Sequence, residues 1–277
     1  ADKITMKLFG IPSGLMPVFL ISMLSGYPTG ARIISSLYSK NGISKDTAEH
    51  MLSFCNNPGA VFIISAVSSS ILSDRASAPF FLAICIFSSL LTGFIYNLLF
   101  PCRYKSYMKP LVSAKSGIYD SLSSSVKSIL LVGGCIIFFS VVTEAFMNII
   151  PEDYKAVGGI IGGMLEFTRG ISLTAASGYS PKIAYSLIAA ILCWGGFSVH
   201  LQTLAVIGES DINIKKYIVC KAFSSVVAYT TSFILYDIYF FKSSVYPVFS
   251  EIYTYHSAFA AASFLAIFIF IFFREKK

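Results

Sequence analysis

Long uncharged and mostly apolar runs alternate along the chain with short segments that carry the charged residues. A helix needs about 20 apolar residues to cross a bilayer core that is about 30 Å thick. Runs of that length predict membrane spans at about residues 49–74, 76–102, 128–151, 183–208, 222–241 and 252–273. The pattern therefore predicts an all-α polytopic membrane protein.

Two further regions are apolar but are cut by helix-breaking or polar residues. In the second, the arms on either side of residues 166–169 hold 10 and 12 uncharged residues between Lys155 and Lys182. At about 1.5 Å per residue, such arms reach only halfway through the bilayer core. The first region is broken at residues 26–30, although its first arm is long enough to be a full span. We expect both regions to form re-entrant hairpins with protein-covered turns.

Each predicted hairpin is followed by a span that contains a break. Asn-Asn-Pro-Gly, which begins at Asn56, interrupts one span, and Trp-Gly-Gly-Phe-Ser, which surrounds Gly196, interrupts the other. The separation from Gly30 to Asn56 and that from Gly170 to Gly196 are both 26 positions. This recurrence predicts a repeat of one unit, a re-entrant hairpin plus a broken transmembrane helix.

Three predicted spans separate the two hairpins, and an odd number places them on opposite membrane faces. The repeat is therefore expected to be inverted, an arrangement typical of secondary transporters with a substrate site at mid-membrane. We expect one membrane domain over residues 1–277, with repeats at about 8–75 and 152–210 and a cytoplasmic linker at about 103–127. Because the sequence begins at Ala1, we also expect further N-terminal helices in a longer protein.

Composition supports a membrane protein and argues against soluble enzymes and nucleic-acid binders. The 277 residues are 55% hydrophobic and 13% charged, and the mean hydropathy is +0.72. Soluble domains usually carry about 25% charged residues. The six cysteines show no C-x-x-C spacing, so we expect neither a disulfide framework nor a metal site. No sequence motif of an enzyme is present, and we expect no enzymatic activity.

Basic residues are distributed unevenly between the two predicted membrane faces. The face with the N-terminus, residues 40–45, 103–127 and 215–221 and the C-terminus carries 15 Lys and Arg, and the other carries 4. Cytoplasmic loops are enriched in Lys and Arg. We therefore expect a bacterial cytoplasmic membrane protein with both termini in the cytoplasm, and we interpret the net charge of +7 as a topology signal.

The strongest chemical signal lies in the second hairpin turn, Glu-Phe-Thr-Arg-Gly at 166–170. An acid and an arginine at membrane depth are costly unless they are paired or used. In one interpretation Arg169 binds a substrate carboxylate, Thr168 adds a hydroxyl, and Glu166 orients the arginine or binds a proton or cation. In the other, Glu166 and Arg169 form an ion pair that only staples the turn.

Polar residues of the first unit are candidates for the same site. Asn56 and Asn57 precede Pro58, which lacks an N–H and frees backbone carbonyls for a ligand or a neighbouring helix. The alternative is a purely structural kink. Thr29 and Arg32 are the counterparts in the first hairpin, where Arg32 could instead extend its guanidinium to the membrane surface.

Ser198, His200 and Gln202 are the corresponding candidates at the second break. They alternate along the chain and would share one face if this stretch were extended. His200 could instead be a hydrogen-bonded packing residue. Glu144 and Asp237 lie near predicted span ends, and we expect interfacial or structural roles for them.

Four motifs in order carry a resemblance to a known family. They are Gly-Tyr-Pro-Thr-Gly-Ala-Arg at 26–32, Cys-Asn-Asn-Pro at 55–58, Leu-Glu-Phe-Thr-Arg-Gly at 165–170 and Gly-Gly-Phe-Ser-Val-His-Leu-Gln at 195–202. Together they resemble YlbJ-type sporulation integral membrane proteins, within the nucleoside recognition (Gate) domain proteins, over nearly the whole chain. The resemblance implies a fold similar to that of concentrative nucleoside transporters. Family members more often carry an uncharged polar residue at the position of Arg169.

The resemblance also implies a role in endospore formation, where the stage V member is implicated in moving dipicolinate from the mother cell towards the forespore. We expect a secondary transporter or permease of a small organic anion, dipicolinate first, in the cytoplasmic or outer forespore membrane. Two arginines at predicted membrane depth favour an anion. The expected partners are this anion, the lipid bilayer and, as an open alternative, a second copy in a homo-oligomer; no nucleic acid is expected. We expect no cofactor other than a coupling proton or sodium ion. The rival functions are a nucleoside permease and a non-transporting morphogenetic scaffold of sporulation.

Overall fold

A computed structural model describes residues 2–101, 118–150, 155–208 and 210–244. These residues form helices and contain no β-strand. The predicted 252–273 span and the first part of the predicted linker lie outside them. The helices are α1 Asp2–Phe9, α2 Pro17–Ser25, α3 Thr29–Ser39, α4 Lys45–Phe54, a π-helix Phe62–Ile71, α5 Ser77–Leu99, α6 Ile118–Ile149, α7 Lys155–Leu165, α8 Phe167–Ala175, α9 Pro181–Trp194, α10 Gly196–Ile207 and α11 Ile214–Ser244.

Within the described residues, four helical stretches are long and apolar enough to cross a membrane. They are Ser77–Leu99, Ser125–Ile149, Pro181–Ile207 and Ile214–Phe240. A fifth candidate is the pair Asp2–Phe9 and Ser13–Ser25, which is bent by 76°. The prediction of an all-helical, multi-pass membrane protein is thereby confirmed for this part of the chain.

The predicted 49–74 span is less regular than a single broken helix. It consists of α4, a non-helical segment and the π-helix, which is the one short apolar helix of the described chain. Its Ser69 and Ser70 hydroxyls donate to carbonyls five residues earlier, as the wider π-helical turn allows. Extended π-helices are rare, and π-turns occur frequently at functional sites.

Two helices begin earlier than the charge pattern predicts. Residues 118–127, which we expected to be linker, are the first part of α6, and α11 begins at Ile214, eight positions before the predicted start at 222. Neither stretch contains Gly or Pro, so nothing in the backbone stops the helix when charged residues appear. A charged residue marks where a helix can leave the apolar core, whereas a breaker marks where it ends.

The helices of the two halves of the chain pack around a shared core. The arms α2 and α3 pack together, as do α7 and α8, while α11 packs against α9, α5 and α4. Contacts between the halves include α10 with α3 and α8 with the π-helix. The turns and breaks of both halves therefore face one another in the interior.

Ion pairs fix one end of this bundle. The Tyr38 hydroxyl donates to Asp211 at 2.6 Å and the Lys45 ammonium lies 3.0 Å from the same carboxylate, and together they lower the pKa of the Asp211 carboxyl. The buried carboxylate of Glu49 accepts from Lys216 at 2.5 Å. Both contacts attach the α10–α11 connection to the end of the first hairpin and the start of α4.

Candidate substrate site

Four non-helical or helix-start segments meet in the interior: the first turn (residues 26–30), the first break (55–59), the second turn (166–170) and the second break (194–198). A Cβ on Gly26 would lie 2.8 Å from the Gly59 amide nitrogen, and one on Gly30 would overlap the Cys55 carbonyl oxygen. A Cβ on Gly196 would lie 3.0–3.2 Å from the backbone of residues 165–167. In each half, glycine lets the turn touch the break that follows it.

Aromatic rings join the two halves. The Phe167 ring of the second turn lies 6.1 Å from the Tyr27 ring of the first turn and 5.0 Å from Phe62, measured between centroids. The Tyr27 hydroxyl donates to the Leu192 carbonyl at 3.3 Å, just before the second break. The first turn therefore contacts elements of both halves of the chain.

A cavity of about 190 Å³ lies at this junction. Its walls come from the first turn, the first break, the second turn, α6 and α10, and none of its lining residues is charged. The polar lining consists of Ser25, Tyr27, Thr168 and Gln202, and the remainder is Leu24, Gly26, Pro58, Gly59, Val61, Phe62, Val132, Ile136 and Phe167. Such a cavity is small compared with drug-sized sites of about 300 Å³ or more. Of the predicted site residues, Thr168 and Gln202 line it.

Asn56 acts as a clamp within the first break. Its amide nitrogen donates to the Thr203 and Tyr217 hydroxyls, both at 3.0 Å, and its side-chain oxygen accepts from the Ala31 amide at 3.4 Å. The residue is buried, and these contacts connect the break to α3, α10 and α11. Its side chain is therefore occupied by protein partners.

Asn57 is similarly engaged by its surroundings. Its amide nitrogen donates to the Phe54 carbonyl at 2.7 Å, and its side-chain oxygen accepts from the Ser89 hydroxyl at 2.7 Å. Its backbone N–H donates to Ser22 at 3.1 Å. The carbonyls that Pro58 leaves without partners in α4 are thus partly compensated by neighbouring side chains. The predicted ligand-binding role of both asparagines stays a prediction.

In the second turn, the contacts of Glu166 and Arg169 differ from the ion pair that one of the two sequence interpretations predicted. Glu166 is the N-cap of α8: its carboxylate accepts from the Thr168 and Arg169 backbone amides, at 3.1 and 2.8 Å, and from the Thr168 hydroxyl. The Arg169 guanidinium instead pairs with Glu144 on α6 at 2.6 Å. Glu166 and Arg169 therefore do not form the expected ion pair, because a carboxylate at a helix start is held by the backbone amides. Arg169 does not line the cavity.

The second break is a left-handed glycine rather than an extended segment. Gly195 has φ +83°, and α10 begins at once with Gly196. Ser198, His200 and Gln202 therefore lie on a helix and do not share one face, since alternate helical positions point in roughly opposite directions. Gln202 lines the cavity, whereas His200 does not.

His200 is buried in an aromatic setting. Its ring lies 4.3 Å from Trp194 and 5.4 Å from Tyr217, measured between centroids. Neither ring nitrogen has a hydrogen-bond partner within the described chain, and the buried Ser198 hydroxyl has none there either. Buried polar atoms without partners are uncommon in native proteins and call for an explanation.

Thr29 and Arg32 occupy the first turns of α3 and are half-buried, and neither lines the cavity. Arg32 and Arg169 were predicted to be counterparts in the two hairpins, and neither of them lines the cavity. Across the described ranges, no group of three or more His, Cys, Asp or Glu side chains could hold a metal ion.

Lys221 is a residue that sequence reasoning missed. We assigned it to a cytoplasmic loop, but it lies within α11 and is 2% exposed. Its ammonium donates to the Asn56 carbonyl at 3.1 Å and lies 5.2 Å from the centre of the Tyr27 ring. The available signal was its spacing of four from Tyr217, which places both residues on one face of a helix.

Comparison with known proteins gives one informative likeness. The chain is 26% identical over 267 residues to the sporulation integral membrane protein YlbJ of Bacillus subtilis (strain 168). The match covers 80% of this chain, and the chain spans 64% of the length of that protein. No protein-family model matches the chain, and no solved structure matches it. The apolar helices and this likeness to an integral membrane protein together support a multi-pass membrane location for the chain.

Proposed function

We propose that this chain is a secondary transporter or permease that carries a small organic anion across the membrane during endospore formation. Dipicolinate is the first candidate, because the chain resembles sporulation membrane proteins. The observation that carries the proposal is the cavity where both hairpin turns and the first break meet. Substrate sites of inverted-repeat transporters lie where broken helices meet between the repeats.

The proposal includes an inverted repeat of a re-entrant hairpin and a broken helix, with both termini in the cytoplasm. Its support is the recurrence of one contact, a glycine-mediated approach of turn to break, in both halves. The broken helices leave backbone groups that protein contacts or a ligand must satisfy at membrane depth. An alternating-access carrier needs such a junction, whereas a scaffold has no requirement for it.

Helix geometry at the first break favours an anionic ligand. The helix that follows Pro58 begins at Ala60, and Gly59 just before it has no side chain that could cap this end; Gly59, Val61 and Phe62 line the cavity. Unpaired N–H groups and the helix dipole attract negative charge at such an end. The corresponding end of α8 is already capped by Glu166, so the first break is the better anion site.

A nucleoside permease is the second candidate. The cavity lining is uncharged and contains the rings of Tyr27, Phe62 and Phe167, together with the Gln202 amide. Aromatic rings and one amide suit a neutral heterocycle as well as an anion.

Uptake into proteoliposomes decides between these functions. The full-length protein, with all native flanking sequence, is reconstituted and supplied with radiolabelled dipicolinate or uridine, and protein-free vesicles serve as the control. We expect saturable dipicolinate uptake that excess uridine does not inhibit. Saturable uptake of uridine alone would favour the nucleoside permease. Absence of both fluxes, in protein shown to be folded, would favour the scaffold.

A further inference from the structure

Lys221 is a buried lysine of α11 whose ammonium contacts the first break. The residue lies two turns inside α11, is 2% exposed, and donates to the Asn56 carbonyl at 3.1 Å. That carbonyl directly follows the C-terminal end of α4, where the helix dipole favours a cation. An ionisable side chain at such a depth is a functional candidate whenever its counter-charge is not evident.

Within the described residues, no carboxylate forms an ion pair with Lys221. The ionisable groups near its ammonium include the thiols of Cys85, Cys193 and Cys220 and the imidazole of His200, none of which is an anion at neutral pH when protonated. Four carboxylates are paired with other cations: Glu49, Glu144, Asp211 and Asp237. A buried cation that lacks an opposite charge is strongly disfavoured in a low-dielectric interior. An anion bound nearby would reduce that cost.

The neighbouring cavity is the place where such an anion would bind. Lys221 lies over the Tyr27 ring, at 5.2 Å from its centre, and Tyr27 is part of the cavity wall. The Asn56 carbonyl that Lys221 contacts is two residues from Pro58, another wall residue. Lys221 therefore stands behind the wall that the first turn and the first break share.

Arg169 is less suited to this role. Its guanidinium pairs with Glu144 at 2.6 Å, its side chain is 42% exposed, and it is absent from the cavity wall. The carboxylate of Glu144 already offsets its charge. The charge of Lys221, in contrast, is uncompensated by any described carboxylate and is screened little at its depth.

We infer that Lys221, rather than Arg169, makes the cavity select the proposed aromatic anion over a neutral ligand of the same shape. The ring of this anion would pack among Tyr27, Phe62 and Phe167, and its negative charge would face the wall behind which Lys221 lies. The inference rests on the proposed function and names the residue that separates an anionic substrate from a neutral one. Lys221 acts across an aromatic ring, so its contribution to affinity is long-range rather than a direct ion pair.

The test compares two ligands of the same shape. Binding of dipicolinate, a dianion, and of pyridine-2,6-dicarboxamide, its neutral analogue, is measured by titration calorimetry on the full-length protein in nanodiscs. Lys221→Met removes the charge and keeps most of the side-chain volume. Lys215→Met makes the same change at an exposed position of the same helix. We expect Lys221→Met to weaken dipicolinate binding on the order of tenfold and to leave the diamide unchanged, and Lys215→Met to change neither.

A second variant keeps the lysine and cancels its charge. Cys193→Asp places a carboxylate within electrostatic range of the Lys221 ammonium, and we expect dipicolinate binding to weaken while diamide binding persists. If Lys221→Met does not fold, the same two affinities are measured on Cys193→Asp instead.

Three results would overturn the inference. Equal dipicolinate affinity in wild type and in the folded Lys221 and Cys193 variants would remove Lys221 from anion selection and leave the proposed function intact. Equal loss of both ligands would show that Lys221 only maintains the fold. Binding of neither ligand by folded wild-type protein would refute the proposed dipicolinate function and the inference with it.

Discussion

The two helix breaks satisfy their polar groups in opposite ways. At the first, the Asn56 and Asn57 side chains donate to and accept from protein partners, and a lysine covers the Asn56 carbonyl. At the second, a left-handed glycine makes the break, and the buried Ser198 and His200 side chains have no hydrogen-bond partner in the described chain. The two breaks thus differ in chemistry: the first is clamped by side chains, the second by backbone packing.

This difference predicts how much each break contributes to the stability of the protein. The clamped break holds α3, α10 and α11 together, and its helix start contributes to the cavity wall. The glycine break lets the backbone of the second turn approach closely and leaves polar side chains that a change in packing could engage. We therefore expect substitutions at the first break to affect stability most, and substitutions at the second break to affect it least.

The largest expected effect is that of Asn56→Leu. The substitution keeps the volume but removes the Asn56 partner of the Thr203 and Tyr217 hydroxyls, which keep only their mutual 3.5 Å contact, and of the Ala31 amide. Each buried polar group left unsatisfied costs about 1–3 kcal/mol, so we expect the free energy of unfolding to fall by about 3 kcal/mol or more. Denaturant unfolding in a fixed detergent, followed by the fluorescence of Trp194, measures it.

Asn97→Leu is the matched control for this change. Asn97 donates to two carbonyls at an exposed end of α5, where water can replace the lost bonds. We expect a loss below about 1 kcal/mol. Equal losses for Asn56→Leu and Asn97→Leu would show that the first break is not a clamp.

The next largest effect tests one close glycine contact in each half, between turn and break in the first half and between α8 and α7 in the second. Gly30→Ala would drive its Cβ into the Cys55 carbonyl, and Gly170→Ala would do the same to the backbone of Gly163. Overpacking of a tight interior costs about 1–3 kcal/mol, and we expect both variants to lose at least that much stability. The measurement is the shift in the unfolding midpoint.

Gly133→Ala provides the control, because a Cβ there would meet nothing within 4 Å. A helix gains up to about 1 kcal/mol from such a change, so its stability should hold or rise. If Gly30→Ala were equally harmless, the close contact of turn and break in the first half would not exist in solution.

Both breaks and four of the six spans were predictable from sequence because their causes are local. Pro58 and Gly195 disrupt a helix through their own backbones, and apolar runs report membrane exposure directly. The helix starts of α6 and α11 were not predictable from charge, since a charged residue does not stop a helix.

The pairing of the charged residues could not be predicted, because it depends on how distant helices pack. Arg169 lies three positions from Glu166 but pairs with Glu144, 25 positions earlier, on another helix. Lys221 resembles its neighbours Lys215 and Lys216 in sequence, but it lies on the face of α11 that contacts the first break. A local pattern shows which residues carry charge; tertiary packing decides which of them is buried.

A smaller effect tests the second turn. We expect a double-mutant cycle of Glu144→Gln with Arg169→Gln to give a coupling energy of about 0.2–1 kcal/mol, because both side chains are partly exposed. The same cycle with Glu166→Gln in place of Glu144→Gln should give almost none, because Glu166 binds backbone amides. A larger coupling to Glu166 would restore the staple that the sequence suggested.

The last prediction compares two buried histidines, one in each half, and expects the smallest effect of all at His200. His200→Phe loses no hydrogen bond to the described residues and keeps an aromatic ring beside Trp194 and Tyr217. His50→Phe loses the bond between Nε2 and the Gly93 carbonyl, 3.3 Å long. Since a buried hydrogen bond contributes about 1 kcal/mol, we expect His50→Phe to be destabilised by about that amount and His200→Phe to stay within about 0.5 kcal/mol of wild type.

The histidine pair separates the two halves only if both variants are measured under the same conditions, at a pH where imidazole is neutral. Trp194 is the single tryptophan of the chain and lies 4.3 Å from His200, so its emission should shift in His200→Phe and not in His50→Phe. A stability loss in His200→Phe as large as that in His50→Phe would mean that His200 has a hydrogen-bond partner after all. The second break would then be clamped by side chains like the first, and the contrast between the halves would reduce to the identity of the clamping residues.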